Sequence, residues 1–310
     1  MIKDFGLVAA GIVLLYAGGE VMVQSATRLA LLLGISPLVI GLTLVAFGTS
    51  APELAATLAA SFKGVGDVAF GNVIGSNIAN IGLVLGLVAL VSPLKTTFRF
   101  ITQEMPFMLF VSSLLFLLGR DGYLGRLDGS IFLFLLVLFL FFLFKRDKTL
   151  SNLADNQKKE PLSKIILYTA GVFVSIGLLS LGANVLVEGA VNIARHLGVP
   201  ERVIGLTMVA VGTSLPELVS TLVAAYRRAG DIILGNIIGS NIMNILAILG
   251  LTPIIKPFSF SKEGVTVDLS IMIFFSLMAW AMLAHQKRVG RLKGTILLGC
   301  YIFYVFYLYQ

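Results

Sequence analysis

The chain contains two copies of one block, separated by a constant distance in sequence. GLTLVAFGTSAPEL at 41–54 returns as GLTMVAVGTSLPEL at 205–218, and GNVIGSNIANI at 71–81 returns as GNIIGSNIMNI at 235–245, both at an offset of 164 residues. Eleven of fourteen positions agree in the first pair and nine of eleven in the second. A repeat of this length exceeds a solenoid unit, so it predicts two homologous halves of a single fold.

The composition places these halves in a membrane. Mean hydropathy is +0.97, with 57% hydrophobic and only 13% charged residues, which excludes an ordinary water-soluble domain. We predict an all-α integral membrane protein with five spans in each half, 1–146 and 164–310, joined by a cytoplasmic linker at 147–163. The apolar runs that approach the ~20 residues needed to cross a bilayer are 5–25, 36–61, 68–92, 103–119, 128–146, 164–185, 200–226, 231–253, 267–285 and 291–309.

The basic residues predict the orientation of the spans. The face that holds the N-terminus collects eight Lys and Arg residues, and the opposite face collects fifteen. By the positive-inside rule the second face is cytoplasmic, which leaves both termini outside the cell membrane. An odd number of spans per half then makes the halves inverted repeats, a transporter plan with its site at the midplane. The net charge of +7 belongs mostly to cytoplasmic loops, so nucleic acid is not an expected partner.

Each copy of the first motif places a carboxylate, Glu53 or Glu217, inside an apolar span. A charge at the bilayer centre costs roughly 2.5–3.5 kcal/mol on insertion scales and usually marks an ion or proton pathway. The proline before each glutamate removes a backbone donor and breaks the helix, and freed carbonyls are tolerated at this depth only where they line a cavity or are buried in protein. The hydroxyl residues just before the prolines are further candidate ligands: Thr49, Ser50, Thr213 and Ser214.

The second motif adds neutral oxygen ligands on a facing helix. Ser76 and Asn80 are four residues apart, as are Ser240 and Asn244, so each pair shares one helical face. A set made only of oxygens suits Ca²⁺, which takes 6–8 of them, whereas zinc and copper favour His and Cys. Both histidines lie outside the motifs. Glycines four residues apart favour close approach of helix backbones: Gly71, Gly75, Gly235 and Gly239.

The paired G-T-S-x-P-E-L and G-N-x-I-G-S-N-I-x-N motifs resemble the two α-repeats of the cation/Ca²⁺ exchanger superfamily, particularly its prokaryotic sodium/calcium exchangers. The resemblance covers both halves and implies cation sites between the second, third, seventh and eighth helices. It implies that Glu53 and Glu217 bind both Ca²⁺ and Na⁺. The neutral ligands implied by the resemblance are backbone carbonyls of Ala46 and Ala210, carbonyls and hydroxyls of Thr49 and Thr213, the hydroxyls of Ser50, Ser76, Ser214 and Ser240 at the Na⁺ sites, and Asn80 and Asn244 at the centre.

One position departs from part of that family. Several relatives carry an aspartate where this chain has Asn244, and in potassium-dependent exchangers that acid is associated with the K⁺ requirement. Amides at both Asn80 and Asn244 leave a central charge of −2 when both glutamates are ionised. The resemblance therefore implies exchange that does not require K⁺.

The expected function is antiport of Ca²⁺ against Na⁺ by alternating access, in a protein that is not an enzyme, has no tightly bound cofactor and works as a monomer. The resemblance implies that the first and sixth helices slide against the site-bearing bundle, with Glu20 and Glu188 in structural or gate-rim roles. A proton-coupled Ca²⁺ antiporter is the main alternative, because buried glutamates carry protons as readily as metal. A Ca²⁺ channel or an intramembrane hydrolase is less favoured, the latter because no His lies beside a candidate serine nucleophile.

Overall fold

In the computed structural model, the described residues are 1–147, 161–199, 212–285 and 287–308, and most of them are helical. We number the helices in chain order and treat a helix that contains a π turn as one element. They are α1 (Ile2–Leu33), α2 (Pro37–Thr49), α3 (Ala51–Phe62), α4 (Gly66–Val91), α5 (Phe98–Gly119), α6 (Arg126–Arg146), α7 (Leu162–His196), α8 (Leu215–Tyr226), α9 (Gly230–Ile255), α10 (Lys262–Ala284) and α11 (Arg291–Leu308).

The predicted membrane class agrees with the helices. Within the described ranges, eight helices are long and apolar enough to cross a bilayer, and the bent pair α2 and α3 makes a ninth span. The span predicted at 200–226 lies partly outside the described residues, which include only its second part, α8. Most of the predicted linker at 147–163 also lies outside them.

The break predicted by Pro52 is present. The axes of α2 and α3 meet at 43°, and Ser50 lies between them with φ −82° and ψ 6°. Pro52 occupies the first turn of α3. Backbone N–H groups in a first turn have no acceptor within the helix, so the N–H that proline lacks costs no hydrogen bond. Pro216 holds the same place in α8, after Ser214 with φ −87° and ψ 2°. Each motif glutamate therefore lies in the first turn of a helix that starts at a break.

The core of the molecule is built on α4 and α9. In the most apolar 18-residue stretch of each helix, the share of buried residues is 100% in α9 and 78% in α4. In α6, α7 and α11 this share is 22%. Both central helices contain a π turn that begins at an asparagine, Asn80–Leu85 in α4 and Asn244–Ile248 in α9. π turns are rare and frequent at functional sites, and these two begin at predicted ligands.

Helices α1 and α7 pack along each other over most of their length. Gly182 makes this possible, because a Cβ there would come within 2.8 Å of the Leu15 amide nitrogen. These helices have 32 and 35 residues, which at ~1.5 Å per residue exceeds the ~30 Å hydrocarbon core. The apolar runs predicted at 5–25 and 164–185 therefore cover only part of each helix.

Four two-residue strands join loops of the two halves. Strand β1 (Leu94–Lys95) pairs antiparallel with β4 (Arg288–Val289), and β2 (Tyr123–Leu124) pairs antiparallel with β3 (Phe258–Ser259). Helix α5 runs from just after β1 to just before β2. The two ladders therefore lie at opposite ends of α5.

Candidate cation site

The two motif glutamates are fully buried on helices of different halves. Glu53 is 0% exposed in α3 and Glu217 is 1% exposed in α8. Ser50 donates a hydrogen bond of 3.0 Å to Oε1 of Glu217, and Ser76 donates one of 3.4 Å to Oε1 of Glu53. The hydroxyl at the first helix break thus contacts the carboxylate at the second.

A second contact between the halves passes through Thr49. Its hydroxyl donates to Oδ1 of Asn236 at 3.1 Å and lies 3.4 Å from Oγ of Ser240, both on α9. Two glycines on the same helix allow this approach: a Cβ at Gly235 would come within 2.7 Å of the Leu38 carbonyl oxygen, and one at Gly239 within 2.7 Å of Leu42. The close packing predicted from the glycine spacing is therefore present at Gly235 and Gly239, between α2 and α9, whereas no described atom lies within 4 Å of a Cβ added at Gly71 or Gly75.

Four buried asparagines join α4 to α9. Asn244 donates its Nδ2 to Oδ1 of Asn77 at 3.0 Å, and Asn80 donates its Nδ2 to Oδ1 of Asn241 at 3.5 Å. At the offset of 164 residues, Asn77 corresponds to Asn241 and Asn80 to Asn244. The two bonds are therefore the same interaction with the halves exchanged.

Several buried oxygens at this place have no hydrogen-bond partner among the described residues. A buried polar atom left unpaired costs free energy, so a cluster of them indicates a missing partner, and for oxygens a cation meets that need. Two are carboxylate oxygens and the rest are hydroxyl or amide oxygens: Oε2 of Glu53, Oε2 of Glu217, Oγ1 of Thr213, Oγ of Ser214, Oδ1 of Asn80 and Oδ1 of Asn244.

The structure describes eleven of the twelve predicted ligands, and Ala210 lies outside the described residues. The eleven come from five helices of both halves, α2, α3, α4, α8 and α9, and from the breaks that precede α3 and α8. The carbonyl oxygen of Ala46 accepts the Ser50 amide at 3.0 Å. The Thr49 hydroxyl, whose one proton is donated to Asn236, lies 3.3 Å from the same oxygen. The ligand role of this carbonyl stays a prediction.

Two asparagines that are not among the predicted ligands, Asn72 and Asn236, hold the breaks. Asn72 donates to the Glu53 carbonyl at 3.2 Å and to Oγ1 of Thr57 at 2.9 Å. Asn236 makes the equivalent bond to Oγ1 of Thr221 at 3.0 Å. A signal for them existed, because Asn72 lies four residues before Ser76 and so shares its helical face.

A cavity of about 470 Å³ lies beside the first break. Small side chains of α3 and α7 line it, including Ala55 and Asn184, and it touches Pro52 and Thr213. Because Pro52 precedes Glu53 and Thr213 carries one of the unpartnered oxygens, the cavity lies next to the site on one side.

A second cavity, of about 380 Å³, lies between α1 and α8. Four of the ten lining positions of the first cavity have counterparts in this lining at the offset of 164, and bulkier side chains occupy them here: Leu215, Val219, Tyr16 and Glu20 in place of Ala51, Ala55, Ser180 and Asn184. Glu20 lies in this lining and forms an ion pair with Arg227, just past the end of α8. Its hydrogen bond and charge raise the pKa of the Arg227 guanidinium. Tyr16 also donates to Glu20, at 3.3 Å.

Glu188 is exposed on α7. Neither it nor Glu20 has a hydrogen bond to a predicted ligand among the contacts described. The structural or gate-rim role expected of Glu20 fits its ion pair with Arg227.

Comparison with known proteins identifies relatives over the whole length. The family model "Sodium/calcium exchanger protein" matches residues 3–145 and 167–310. The chain is 39% identical to the "Putative antiporter CaxA" of Alkalimonas amylolytica over 98% of both proteins. It is 34% identical to the "Sodium/calcium exchanger MaX1" of Methanosarcina acetivorans, over 99% of this chain and 98% of that one. The solved structure of the sodium-calcium exchanger NCX_Mj, soaked with zero Na⁺ and Ca²⁺, superposes with a TM-score of 0.86 at 32% identity, over 99% of both chains.

Proposed function

Since the chain belongs to the sodium/calcium exchanger family, we propose that it exchanges Ca²⁺ for Na⁺ across the cell membrane by alternating access. The observation that carries the proposal is the cluster of buried oxygens around Glu53 and Glu217, contributed by both halves and lacking hydrogen-bond partners among the described residues. Two carboxylates and neutral oxygens match the ligand preference of Ca²⁺. The transported ions are substrates, and the proposal involves no cofactor.

Charge explains why such a site exchanges ions. Ionised Glu53 and Glu217 supply a charge of −2, which one Ca²⁺ or a set of Na⁺ ions neutralises. The same oxygens cannot hold both loads at once. An empty site would have to change its facing with two uncompensated charges in a medium of low dielectric, so movement of the loaded protein is favoured and the result is antiport.

The loop ladders support an inverted arrangement of the halves. Adding 164 to Leu94–Lys95 gives Phe258–Ser259, so β1 and β3 are equivalent. Each pairs with a strand of the other half, and the two ladders lie at opposite ends of α5. Equivalent strands on opposite faces are what an axis in the membrane plane produces. We propose ten spans on this plan, with both termini outside the cytoplasm.

The two cavities, whose linings are equivalent in part, support alternating access. The cavity beside Thr213 has small lining residues, whereas the cavity beside Glu20 is narrowed by larger ones and bordered by an ion pair. We assign the first to the open route in this conformation and the second to the closed route. Helix α7 lines both cavities, and α1, which packs along it, lines the second, so these two helices are the elements whose sliding would exchange the two routes.

The amides at Asn80 and Asn244 bear on coupling. Both are buried, and their Oδ1 atoms lack partners among the described residues, so they add neutral ligands to the two charges. A site of charge −2 is filled by Ca²⁺ without a further cation. We therefore propose transport that does not require K⁺, by a monomer that contains a complete site.

Uptake of ⁴⁵Ca²⁺ into proteoliposomes tests the proposal. Purified protein is reconstituted with internal Na⁺, with an outward proton gradient at equal Na⁺, or with neither gradient, and each condition is run with and without K⁺. We expect saturable uptake with internal Na⁺ alone, unaffected by K⁺. Uptake that follows only the proton gradient would assign the protein to proton-coupled antiport, and unsaturable uptake without any gradient would indicate a channel. The double variant Glu53→Gln/Glu217→Gln is the control for leak.

A further inference from the structure

Asn77 and Asn241 are buried residues of the central helices that belong to none of the predicted ligand positions. They are 1% and 2% exposed. Asn77 accepts a hydrogen bond from Asn244, and Asn241 accepts one from Asn80. Each residue thus contacts a predicted ligand of the opposite half.

The other end of each amide faces a methionine. Nδ2 of Asn77 lies 3.6 Å from Sδ of Met272, and Nδ2 of Asn241 lies 3.7 Å from Sδ of Met108. These methionines correspond at the offset of 164 residues, and both are buried. A thioether sulfur accepts hydrogen bonds but cannot donate them. Only the NH₂ end of each amide can therefore bond to the sulfur, and the oxygen is directed to the partner asparagine.

This direction determines how the ligand asparagines are turned. Because Asn77 presents an oxygen, Asn244 must present its NH₂ group, and its own oxygen then points away from Asn77. The same reasoning applies to Asn80 opposite Asn241. All four NH₂ groups have an acceptor, whereas the oxygens of Asn80 and Asn244 have no partner among the described residues.

We propose that Asn77 and Asn241 are positioning residues that hold the amides of Asn244 and Asn80 with the carbonyl oxygen toward the transported cation. Met272 and Met108 fix the direction of the two positioning amides. The inference rests on the proposed function and adds a specific arrangement to it. The π turns that begin at Asn244 and Asn80 contact α3 and α8 respectively, so each oriented amide lies beside a helix that carries a site glutamate.

Orientation matters here because the two ends of an amide act on a cation with opposite sign. A Ca²⁺ ion binds the carbonyl oxygen and is repelled by the NH₂ group. A free amide could present either end, and ligand binding would then have to select one. A carboxylate needs no such control, because both of its oxygens are ligands.

This difference provides the test. Ca²⁺ binding is measured on the purified full chain by isothermal titration with Ca²⁺ in Na⁺-free buffer, beside thermal unfolding and gel filtration. We expect Asn77→Leu to weaken Ca²⁺ binding at least tenfold. In an Asn244→Asp background the same change should weaken it less than threefold, since the aspartate does not depend on Asn77. A coupling between the two substitutions is what a double-mutant cycle measures.

The methionines give a second, milder test. Met272→Leu keeps the volume of the side chain and removes the sulfur acceptor, so we expect Ca²⁺ binding to weaken about threefold. Met105→Leu is the matched control, because Met105 is equally buried on the helix that carries Met108. It should leave binding unchanged.

The outcomes separate this inference from the function on which it rests. Equal losses from Asn77→Leu in both backgrounds would show a merely structural role and overturn the proposal, as would unchanged binding in Asn77→Leu. Folded wild-type protein that binds no Ca²⁺ would overturn the proposed function, and the inference with it.

Discussion

The Ser50 hydroxyl donates a 3.0 Å hydrogen bond to the carboxylate of Glu217, although 167 residues separate them in sequence. Glu217 has no positively charged partner among the contacts that the structure describes. The carboxylate of one half is thus held by a neutral hydroxyl at the helix break of the other. This pairing leaves the charge of Glu217 uncompensated by protein groups and open to a cation.

The first prediction concerns the two glutamates. Glu53→Gln and Glu217→Gln keep side-chain size and remove one charge each, so the site can no longer neutralise Ca²⁺. We expect each to lower ⁴⁵Ca²⁺ flux at least 100-fold while gel filtration still shows a folded protein. Glu188→Gln, at an exposed position of α7, is the control and should retain flux. Wild-type flux in either site variant would show that the carboxylates are not ligands.

The second prediction concerns Asn244. Asn244→Asp adds a third buried carboxylate, so the site would carry a charge of −3 that one Ca²⁺ does not neutralise. We expect the variant to acquire a dependence on K⁺ or a higher Na⁺ requirement, with Ca²⁺ binding changed less than tenfold. Initial rates of ⁴⁵Ca²⁺ uptake across a series of K⁺ and Na⁺ concentrations measure this. An ion requirement identical to that of wild type would contradict a central position for Asn244.

The sequence predicted the helix break before Glu53 well because this feature is local. Pro52 and Glu53 are neighbours, and a proline in an apolar span has few structural solutions. The length of α1 was not predictable in the same way. Gln24 and Arg28 interrupt its apolar run, but the helix continues until Gly34, which ends it with φ 65°. Hydropathy reports the thickness of the hydrocarbon core, whereas the C-cap determines where the helix stops.

The cross-half bonds were beyond local reasoning. Helical spacing places Asn72, Ser76 and Asn80 on one face, so Asn72 could have been found from sequence. Asn77 lies off that face. The way α4 crosses α9 determines that Asn77 contacts Asn244. A crossing depends on packing of the whole bundle, which a pattern within one helix does not determine.

The third prediction concerns the packing of α2 against α9. A Cβ at position 239 would come within 2.7 Å of the backbone of Leu42, so Gly239→Ala must push two helices apart. We expect a destabilisation of about 1–3 kcal/mol, as for other overpacked sites. Thermal unfolding of the purified protein measures it. Gly177→Ala, where no described atom lies within 4 Å, should leave the midpoint unchanged or raise it, and equal midpoints for the two variants would refute the close contact.

The last prediction concerns the ion pair between Glu20 and Arg227, which joins α1 to the end of α8 at the border of the narrower cavity. Arg227→Gln removes this link, so the cavity should open more often. We expect a cysteine placed at Val219, in the lining of that cavity, to react at least threefold faster with a charged methanethiosulfonate reagent when Arg227→Gln is also present. All variants also carry Cys300→Ser, which removes the native thiol. Arg228→Gln is the matched control, because Arg228 is the basic residue next to Arg227 and makes no contact with Glu20 among those described. Equal labelling rates in the presence and absence of Arg227→Gln would show that the pair does not hold the route closed. An equal increase in labelling rate with Arg227→Gln and with Arg228→Gln would assign the effect to surface charge.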